Sequence, residues 1–193
     1  MKNTIITITG PSCSGKSTLA DELINLGIAS RIVAHTTRPK RAGEIEGIDY
    51  YFKSQEQYNS ISPEDFFENI KVNNHRYGIL ESTIFKTFEQ KKPIVIIAAL
   101  EGLKQINEAC YHSNINHCSI FVSTLEKSTL VKRWLRRYKN SSMSPLDDEE
   151  FSSRITKTLT SELDLDLEFK YDLRLIDVPL RSAIELTRKK LNK

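Results

Sequence analysis

The sequence predicts an α/β fold in which helices cover both faces of a parallel sheet. Four short aliphatic runs, at residues 4–8, 94–97, 119–122 and 173–176, are each followed by a stretch that favours a helix. Strands that alternate with helices assemble into parallel sheets covered on both faces. The length of 193 residues fits one domain with an inserted part, because domains usually hold roughly 100 to 200 residues.

The first helix has the clearest pattern. Leu19, Leu23 and Leu26 recur at helical spacing and share one face, and Gly27 supplies a stop signal. We expect this helix to begin at Lys16 and Ser17.

Two segments interrupt the alternation of strands and helices. Residues 35–80 contain prolines and glycines among short aromatic pieces, and the capping-box pattern at 54–57 predicts a short helix there. We expect a small α+β insert at 35–80, flanked by a core formed by 1–34 and 81–193. The polar residues 139–148 are typical of a mobile loop.

Composition excludes several classes of protein. Apolar residues make up 39% of the chain and charged residues 27%, which is a globular balance. The formal charge of +3 is too small to make nucleic acid the default partner. No long apolar run or signal peptide is recognisable, so we expect a soluble, cytoplasmic protein that does not contact membranes. Three cysteines and four histidines are scattered, which favours neither a disulfide framework nor a zinc site.

The strongest motif is the segment Gly10–Ser17, which reads Gly-Pro-Ser-Cys-Ser-Gly-Lys-Ser. It fits the phosphate-binding pattern of Gly, four residues, Gly-Lys-Ser or Thr, and it stands between the first strand and the first helix. In such a loop the backbone N–H groups converge on phosphate oxygens, Lys16 reaches the β and γ phosphates, and Ser17 can ligate Mg²⁺. The motif predicts binding of a nucleoside triphosphate; the alternative is a glycine-rich turn that binds nothing.

A second candidate anion site follows in residues 35–52. Arg38 and Arg41 precede Tyr50, and two guanidinium groups with a phenol can clamp a phosphate. Two phosphate sites suggest transfer between them. A solvated basic hairpin would have the same composition.

A basic helix is predicted around residues 131–139. Arg133 and Arg137 are four residues apart, so they share one face and can reach one phosphate cluster, whereas Arg136 points elsewhere. Cations that arrive on closure would neutralise a transferring phosphoryl group and exclude water. Nucleic-acid binding and a merely solvated helix are the alternatives. The acidic run 147–150 fits a helix N-terminus better than a metal site.

These motifs together resemble the guanylate kinase family. The loop Gly-Pro-Ser-x-x-Gly-Lys-Ser-Thr is followed, about twenty residues later, by Thr-Thr-Arg-Pro-x-Arg-x-Gly-Glu-x-x-Gly-x-Asp-Tyr-x-Phe, and the similarity extends over most of the chain. The resemblance implies a P-loop core, a nucleoside-monophosphate-binding subdomain at 35–80 and a mobile lid at 133–154. It also implies transfer of the γ-phosphoryl group of ATP to GMP or dGMP with Mg²⁺.

The resemblance assigns roles to individual residues. The acceptor's phosphate would be held by Arg38, Arg41, Tyr50 and Tyr77, and Glu68 would read the guanine edge. The lid would supply Arg133, Arg137 and Arg154, which act with Lys16 on the transferring group. Ser17 would hold the metal. The ATP phosphates would lie against Gly10, Pro11, Ser12, Cys13, Ser14, Gly15, Lys16, Ser17 and Thr18.

Several positions depart from the family pattern. Ala34 and Ile79 stand where the family has serines, and residues 97–102 read Ile-Ala-Ala-Leu-Glu-Gly, so that two aspartates are missing, one of them at Ala99. Glu101 is a candidate replacement for the lost carboxylate. Asp177 stands where the family has an asparagine beside the adenine of the donor.

The departures leave the acceptor open. Chemistry can survive, because a monophosphate is already largely ionised at pH 7 and needs no general base, but fewer groups remain to bond the base. One alternative is a P-loop kinase that acts on another nucleotide or a ribose phosphate. Another is a non-catalytic binding module with the same fold. Cys13 adds a thiol within the phosphate loop. One hypothesis is that its alkylation inhibits activity; the alternative is a small side chain that fills a tolerant loop position.

Overall fold

The computed structural model describes residues 2–41, 43–72, 74–139, 156 and 169–192, and only the backbone at 127 and 137–139. The strands are β1 (Thr4–Thr9), β2 (Ser30–Arg31), β3 (Ala34–Thr36), β4 (Tyr50–Phe52), β5 (Phe66–Val72), β6 (His75–Leu80), β7 (Ile94–Ile97), β8 (Asn116–Ser123) and β9 (Leu173–Ile176). The helices are α1 (Lys16–Asn25), α2 (Gln55–Asn59), α3 (Glu81–Phe88), α4 (Leu100–His112), α5 (Lys127–Lys139) and α6 (Leu180–Leu191).

The central sheet has five strands in the order β2-β7-β1-β8-β9, and all of their pairings are parallel. The α/β fold with a parallel sheet is therefore confirmed, and the four predicted runs are β1, β7, β8 and β9. Strand β8 begins at Asn116, three residues before the predicted run. The two-residue strand β2 was not predicted, because it is too short to show a pattern.

Helices cover both faces of this sheet. On one face, α1 and α6 pack on residues such as Ile6, Ile8 and Leu175. On the other face, α3 and α4 pack on residues such as Ile5 and Ile96. Alternate residues of each strand therefore supply two separate cores, as expected for a sheet that is buried on both sides.

Helix α1 begins at Lys16, as predicted, and buries Leu19 and Leu23. The prediction was wrong for Leu26, which is the C-cap residue rather than part of the helix and is 48% exposed. Gly27 adopts a positive φ of 67° just beyond the helix and ends it as expected.

The second sheet lies within residues 34–80 and has the order β4-β3-β6-β5. Strand β6 pairs antiparallel with both β3 and β5, whereas β3 and β4 are parallel. The capping box at the start of α2 is confirmed, since Ser54 and Gln57 bond each other's backbone N–H. The sheet begins at Ala34, one residue before the expected start of the insert.

Strand β5 and helix α4 join the second sheet to the core. Phe67 and Ile79 of the second sheet lie in the same hydrophobic cluster as Leu103 and Ile106 of α4. This cluster therefore holds β5 and β6 close to α4, which begins just beyond the carboxyl end of β7. Within the described residues, no helix combines the length and the apolar character that crossing a membrane requires.

Candidate active site

The phosphate-binding loop connects β1 to α1. Gly10 has a φ of 144°, and a Cβ at this position would collide with the carbonyl oxygen of Val122 on β8. Gly15 has a φ of 109° and is the N-cap residue of α1. Glycine is therefore required at both positions, by close packing at the first and by backbone conformation at both.

Two polar groups of this loop fit a bound anion. The Lys16 ammonium donates hydrogen bonds to the carbonyl oxygens of Gly10 (2.7 Å) and Pro11 (2.6 Å), so it lies against the loop. The Ser14 hydroxyl is buried, and no described residue bonds it. A buried hydroxyl without a partner is costly, and an oxygen of a bound phosphate would satisfy it. Ser17 and Thr18 lie exposed on the first turn of α1.

Helix α5 brings one predicted arginine to the loop. Arg133 Nη1 donates to the carbonyl oxygen of Cys13 at 3.4 Å. The Asp177 carboxylate, just after β9, accepts a hydrogen bond from the Leu125 N–H at 2.9 Å. Hydrogen bonds from Thr124 and Leu125, with a contribution from the charge of Arg133, lower the pKa of Asp177. The site therefore has an ionised carboxylate near the cation that reaches the loop.

The other predicted residues of this region lie outside the described part of the structure. They are the side chain of Arg137, Arg154 and the acidic run 147–150.

A cavity of about 380 Å³ lies between the two sheets. Its walls come from α1, β2 and β7 of the core and from β3 to β6 of the second sheet. The site residues among its lining are Ala34, Tyr50, Glu68, Tyr77, Ile79 and Ala99. Thr9, directly before the phosphate loop, donates its hydroxyl to the carbonyl of Ala98 at 3.1 Å, so the cavity wall and the loop are neighbours.

Arg38 is buried at the end of β3 and forms a two-pronged ion pair with Glu44, at 2.6 and 3.0 Å. Its guanidinium carbon lies 5.4 Å from the centre of the Tyr50 ring. Hydrogen bonds to Glu44 and then Tyr77 contribute to the raised pKa of Arg38. The structure thus brings Arg38, Tyr50 and Tyr77 together, but around a salt bridge that the sequence analysis did not anticipate.

Glu44 also accepts the backbone N–H of Arg41 at 2.8 Å. This contact fixes the loop on which the exposed Arg41 stands. The sequence signal for Glu44 is an acidic residue three positions after Arg41 in an otherwise basic run.

Glu68 projects from β5 opposite Ile79 and is 5% exposed. Its carboxylate packs on the first turn of α4, where a Cβ at position 102 would collide with Oε1. No described residue makes a hydrogen bond or ion pair with it. Burial, and then the negative charge of Glu101, raise the pKa of Glu68 to about 7. A carboxylate that is buried without a partner indicates a ligand group that bonds it.

Helix α4 is hydrogen-bonded to β5, the strand that carries Glu68. Gln105 Oε1 accepts the backbone N–H of Asn69 at 2.9 Å, and Gln105 Nε2 donates to the Asn69 carbonyl at 3.2 Å. Gln105 was not predicted as a site residue, because no local pattern connects residues so far apart in the chain.

The positions that depart from the family pattern are apolar walls of the cavity. Ala34, Ile79 and Ala99 all line it, and Ile97 at the end of β7 is 45% exposed. Glu101 lies on the first turn of α4, and its charge acts on Glu68. Within the described residues, no group of three or more His, Cys, Asp or Glu side chains could hold a metal.

A phosphate-binding loop next to a cavity lined by Tyr50 and Tyr77, the phenols beside the Arg38 guanidinium, is typical of a phosphotransferase of the P-loop class. Comparison with known proteins agrees with this class. The sequence profile of the guanylate kinase family matches residues 1–171. The chain therefore belongs to the guanylate kinase family, whose members are ATP-dependent nucleoside monophosphate kinases.

Individual relatives support this assignment. The chain is 33% identical to a guanylate kinase of Legionella pneumophila (strain Paris), with 96% of this chain and 87% of the relative covered. It is 28% identical to a guanylate kinase of Clostridium tetani, with 95% and 83% covered. The crystal structure of guanylate kinase from Anaplasma phagocytophilum shares the fold, with a TM-score of 0.70 and 20% identity over 99% of this chain and 85% of that one.

Proposed function

We propose that this protein transfers the γ-phosphoryl group of ATP to the phosphate of GMP or dGMP in the presence of Mg²⁺. The observation that carries the proposal is the cavity beside the phosphate loop. It is lined by Tyr50 and Tyr77, the phenols next to Arg38, and by the unpartnered carboxylate of Glu68. A phosphate clamp and a base reader in one cavity suit a nucleoside monophosphate, and the adjacent loop suits the triphosphate donor.

On the donor side, the loop from Gly10 to Thr18 wraps the ATP phosphates with backbone N–H groups. Lys16 exchanges its bonds to the loop carbonyls for phosphate oxygens, and Ser14 gains a partner. Ser17 is the protein group that would hold Mg²⁺, which usually takes one or two protein ligands and keeps several waters and phosphate oxygens. When bound, Mg²⁺ neutralises charge on the β and γ phosphates.

On the acceptor side, Arg41, Tyr50 and Tyr77 hold the monophosphate beside the guanidinium that Glu44 orients. The acceptor oxygen is a nucleophile without a general base, because the second pKa of a phosphate monoester is about 6. Glu68 accepts the two adjacent N–H groups of guanine, which fixes the base and thereby the phosphate.

Closure completes the site in this proposal. Arg133, together with Arg137 and Arg154 of a lid at 133–154, neutralises the transferring group and excludes water. We assign residues 1–34 and 81–193 to the P-loop core and 35–80 to the monophosphate-binding subdomain. Small nucleotides, rather than nucleic acid or membranes, are its proposed partners in the cytoplasm, in line with a formal charge of only +3.

A turnover assay with ATP and Mg²⁺ tests the proposal. The acceptors are GMP, dGMP, AMP, CMP, UMP and a ribose phosphate, and ADP is the measured product. At a pH above 8 we expect GMP and dGMP to be the best acceptors, and we expect Lys16→Ala to abolish turnover with all of them. GMP and dGMP that bind without releasing ADP would contradict the proposal.

A second candidate function is supported by the apolar cavity walls at Ala34, Ile79 and Ala99. Because these side chains cannot bond a polar base, the acceptor of a related reaction would be another phosphorylated small molecule. Higher turnover with a ribose phosphate or a pyrimidine nucleotide than with GMP, in the same assay, would favour this alternative.

A further inference from the structure

The starting observation is the isolation of Glu68 within the acceptor cavity. Two other carboxylates line the cavity, but both are engaged: Asp21 pairs with Arg31, and Asp49 accepts the N–H of Ile45 at 2.7 Å. Glu68 is nine-tenths buried and makes no hydrogen bond with a described residue. Its hydrogen-bonding capacity is therefore directed to whatever occupies the cavity.

Few ionisable groups near Glu68 affect its protonation state. The ionisable groups that act on it are Glu101 on α4 and Tyr58 on α2, and Tyr77 on β6 lines the same cavity. Burial raises the pKa of Tyr58, so that phenol stays neutral. The negative charge of Glu101 favours the protonated form of Glu68, and no described cation is paired with it. Both forms of Glu68 are thus available near neutral pH.

The two forms recognise different base edges. An ionised carboxylate offers two acceptors and suits the adjacent N1–H and 2-amino groups of guanine. A neutral carboxyl group offers one donor and one acceptor. It therefore suits a ring nitrogen lone pair beside an exocyclic amine, which 2-aminopurine presents at the same two positions and adenine presents after a turn of the ring.

The apolar side chains beside Glu68 do not select guanine. The side chains next to Glu68 on its own sheet and across the cavity are apolar: Ile70, Ile79, Ala34 and Ala99. None of them donates a hydrogen bond to an oxygen at position 6 of a purine. Loss of that oxygen therefore leaves no donor of these four side chains unpaired, and the edge facing Glu68 dominates the choice of base.

We propose that Glu68 reads the acceptor base in two protonation forms, as a carboxylate for guanine and as a carboxylic acid for purine monophosphates that present a lone pair beside an amine. This inference rests on the proposed function and extends its substrate class. The acceptor range then depends on pH: guanine nucleotides are favoured on the alkaline side and 2-aminopurine-type nucleotides on the acidic side.

The experiment compares kcat/KM for GMP and for 2-aminopurine ribonucleoside monophosphate, with ATP and Mg²⁺, between about pH 6 and about pH 8.5. The ionisation of the acceptor phosphate cancels in the ratio of the two values, because both acceptors carry the same group. We expect the preference for 2-aminopurine to fall about tenfold for each unit of rising pH, as the ratio of neutral to ionised Glu68 does. A ratio that does not change with pH overturns the proposal.

Two variants connect the effect to the residue. Glu68→Gln has a permanent donor and acceptor, so we expect it to prefer 2-aminopurine at every pH and to lose the pH dependence of the ratio. Glu101→Gln removes the neighbouring charge, so we expect the same slope with a lower preference for 2-aminopurine at each pH. A Glu68→Gln enzyme that keeps the slope contradicts the assignment, even if it folds and turns over GMP.

A binding measurement separates this inference from the proposed function. The fluorescence of the 2-aminopurine nucleotide reports binding without turnover. We expect its dissociation constant to fall towards acidic pH in the parent protein and in Glu101→Gln, but not in Glu68→Gln. Absence of GMP turnover at the alkaline end would overturn the proposed function. Suppose instead that GMP turnover is normal, but that neither the ratio of the two kcat/KM values nor the binding of 2-aminopurine nucleotide changes with pH. That result would overturn only the proposal that Glu68 recognises bases in two protonation forms.

Discussion

At the residue scale, the environment of Glu68 has an energetic cost for the unliganded protein. Its pKa rises from 4.5 to about 7 on folding. The folded state therefore holds a proton that the unfolded state has lost between these values, and stability falls as pH rises through this window. Above the window the cost levels off at about 3 kcal/mol, since each pKa unit corresponds to about 1.4 kcal/mol.

The first prediction follows from this linkage. Glu68→Gln should raise the free energy of unfolding of the ligand-free protein at about pH 8 by up to about 3 kcal/mol, and much less at about pH 5. Urea denaturation at the two pH values measures the difference. As a control, Glu56→Gln changes a fully exposed carboxylate on α2 and should have little effect. An equal gain at both pH values would contradict the argument.

The second prediction concerns the thiols. Burial raises the pKa of Cys110 to about 12 and that of Cys118 to about 11, whereas Cys13 is partly exposed in the phosphate loop. A maleimide should therefore modify Cys13 first and inhibit the enzyme by blocking the phosphate site. Mass spectrometry locates the adduct, ATP should protect, and Cys13→Ser should be resistant. Full modification with undiminished activity would contradict this.

At the element scale, the contact between α4 and β5 positions Glu68, the proposed base reader. The Gln105 side chain satisfies both the N–H and the carbonyl of Asn69, and the Asn69 side chain accepts the Tyr58 hydroxyl at 3.0 Å. Glu68 is the neighbouring residue on β5. Its orientation therefore depends on a helix of the core rather than on its own sheet alone.

The third prediction tests the two hydrogen bonds between Gln105 and the backbone of Asn69. Gln105→Leu should raise KM for GMP about tenfold, with a smaller change in KM for ATP, because loss of two neutral hydrogen bonds costs about 1–2 kcal/mol at the acceptor side only. Steady-state kinetics with each substrate varied gives the two constants. The control Glu108→Gln alters an exposed residue of the same helix. A purely structural role for Gln105 would instead lower the melting temperature and leave both KM values unchanged.

The elements also show what local sequence patterns can predict. Strands β1, β7 and β9 coincide with aliphatic runs, and the capping box marks the start of α2. Strand β2 holds only two residues, and its pairing with β7 depends on the whole sheet. Leu26 had the spacing of a buried residue, yet it is exposed because α1 ends one residue earlier.

At the scale of the whole molecule, the site lies where two sheets meet. The phosphate loop was predictable because all of its parts are contiguous between one strand and one helix. The acceptor side combines β3, β5 and β6 with the first turn of α4, so its geometry depends on long-range packing. The hydrogen bonds between Gln105 and Asn69, 36 residues apart, are of this kind, whereas Arg38 and Glu44 are only six residues apart.

The close approach of α4 to Glu68 restricts how this protein can diversify. Position 102 holds no side chain, and any atom added there would occupy the volume of the Glu68 carboxylate. A larger residue at 102 would displace this carboxylate, because the atom it meets is the end of a flexible side chain. Residue 102 therefore helps to set where the Glu68 carboxylate lies, and in the proposed function it limits how deeply a base can be seated.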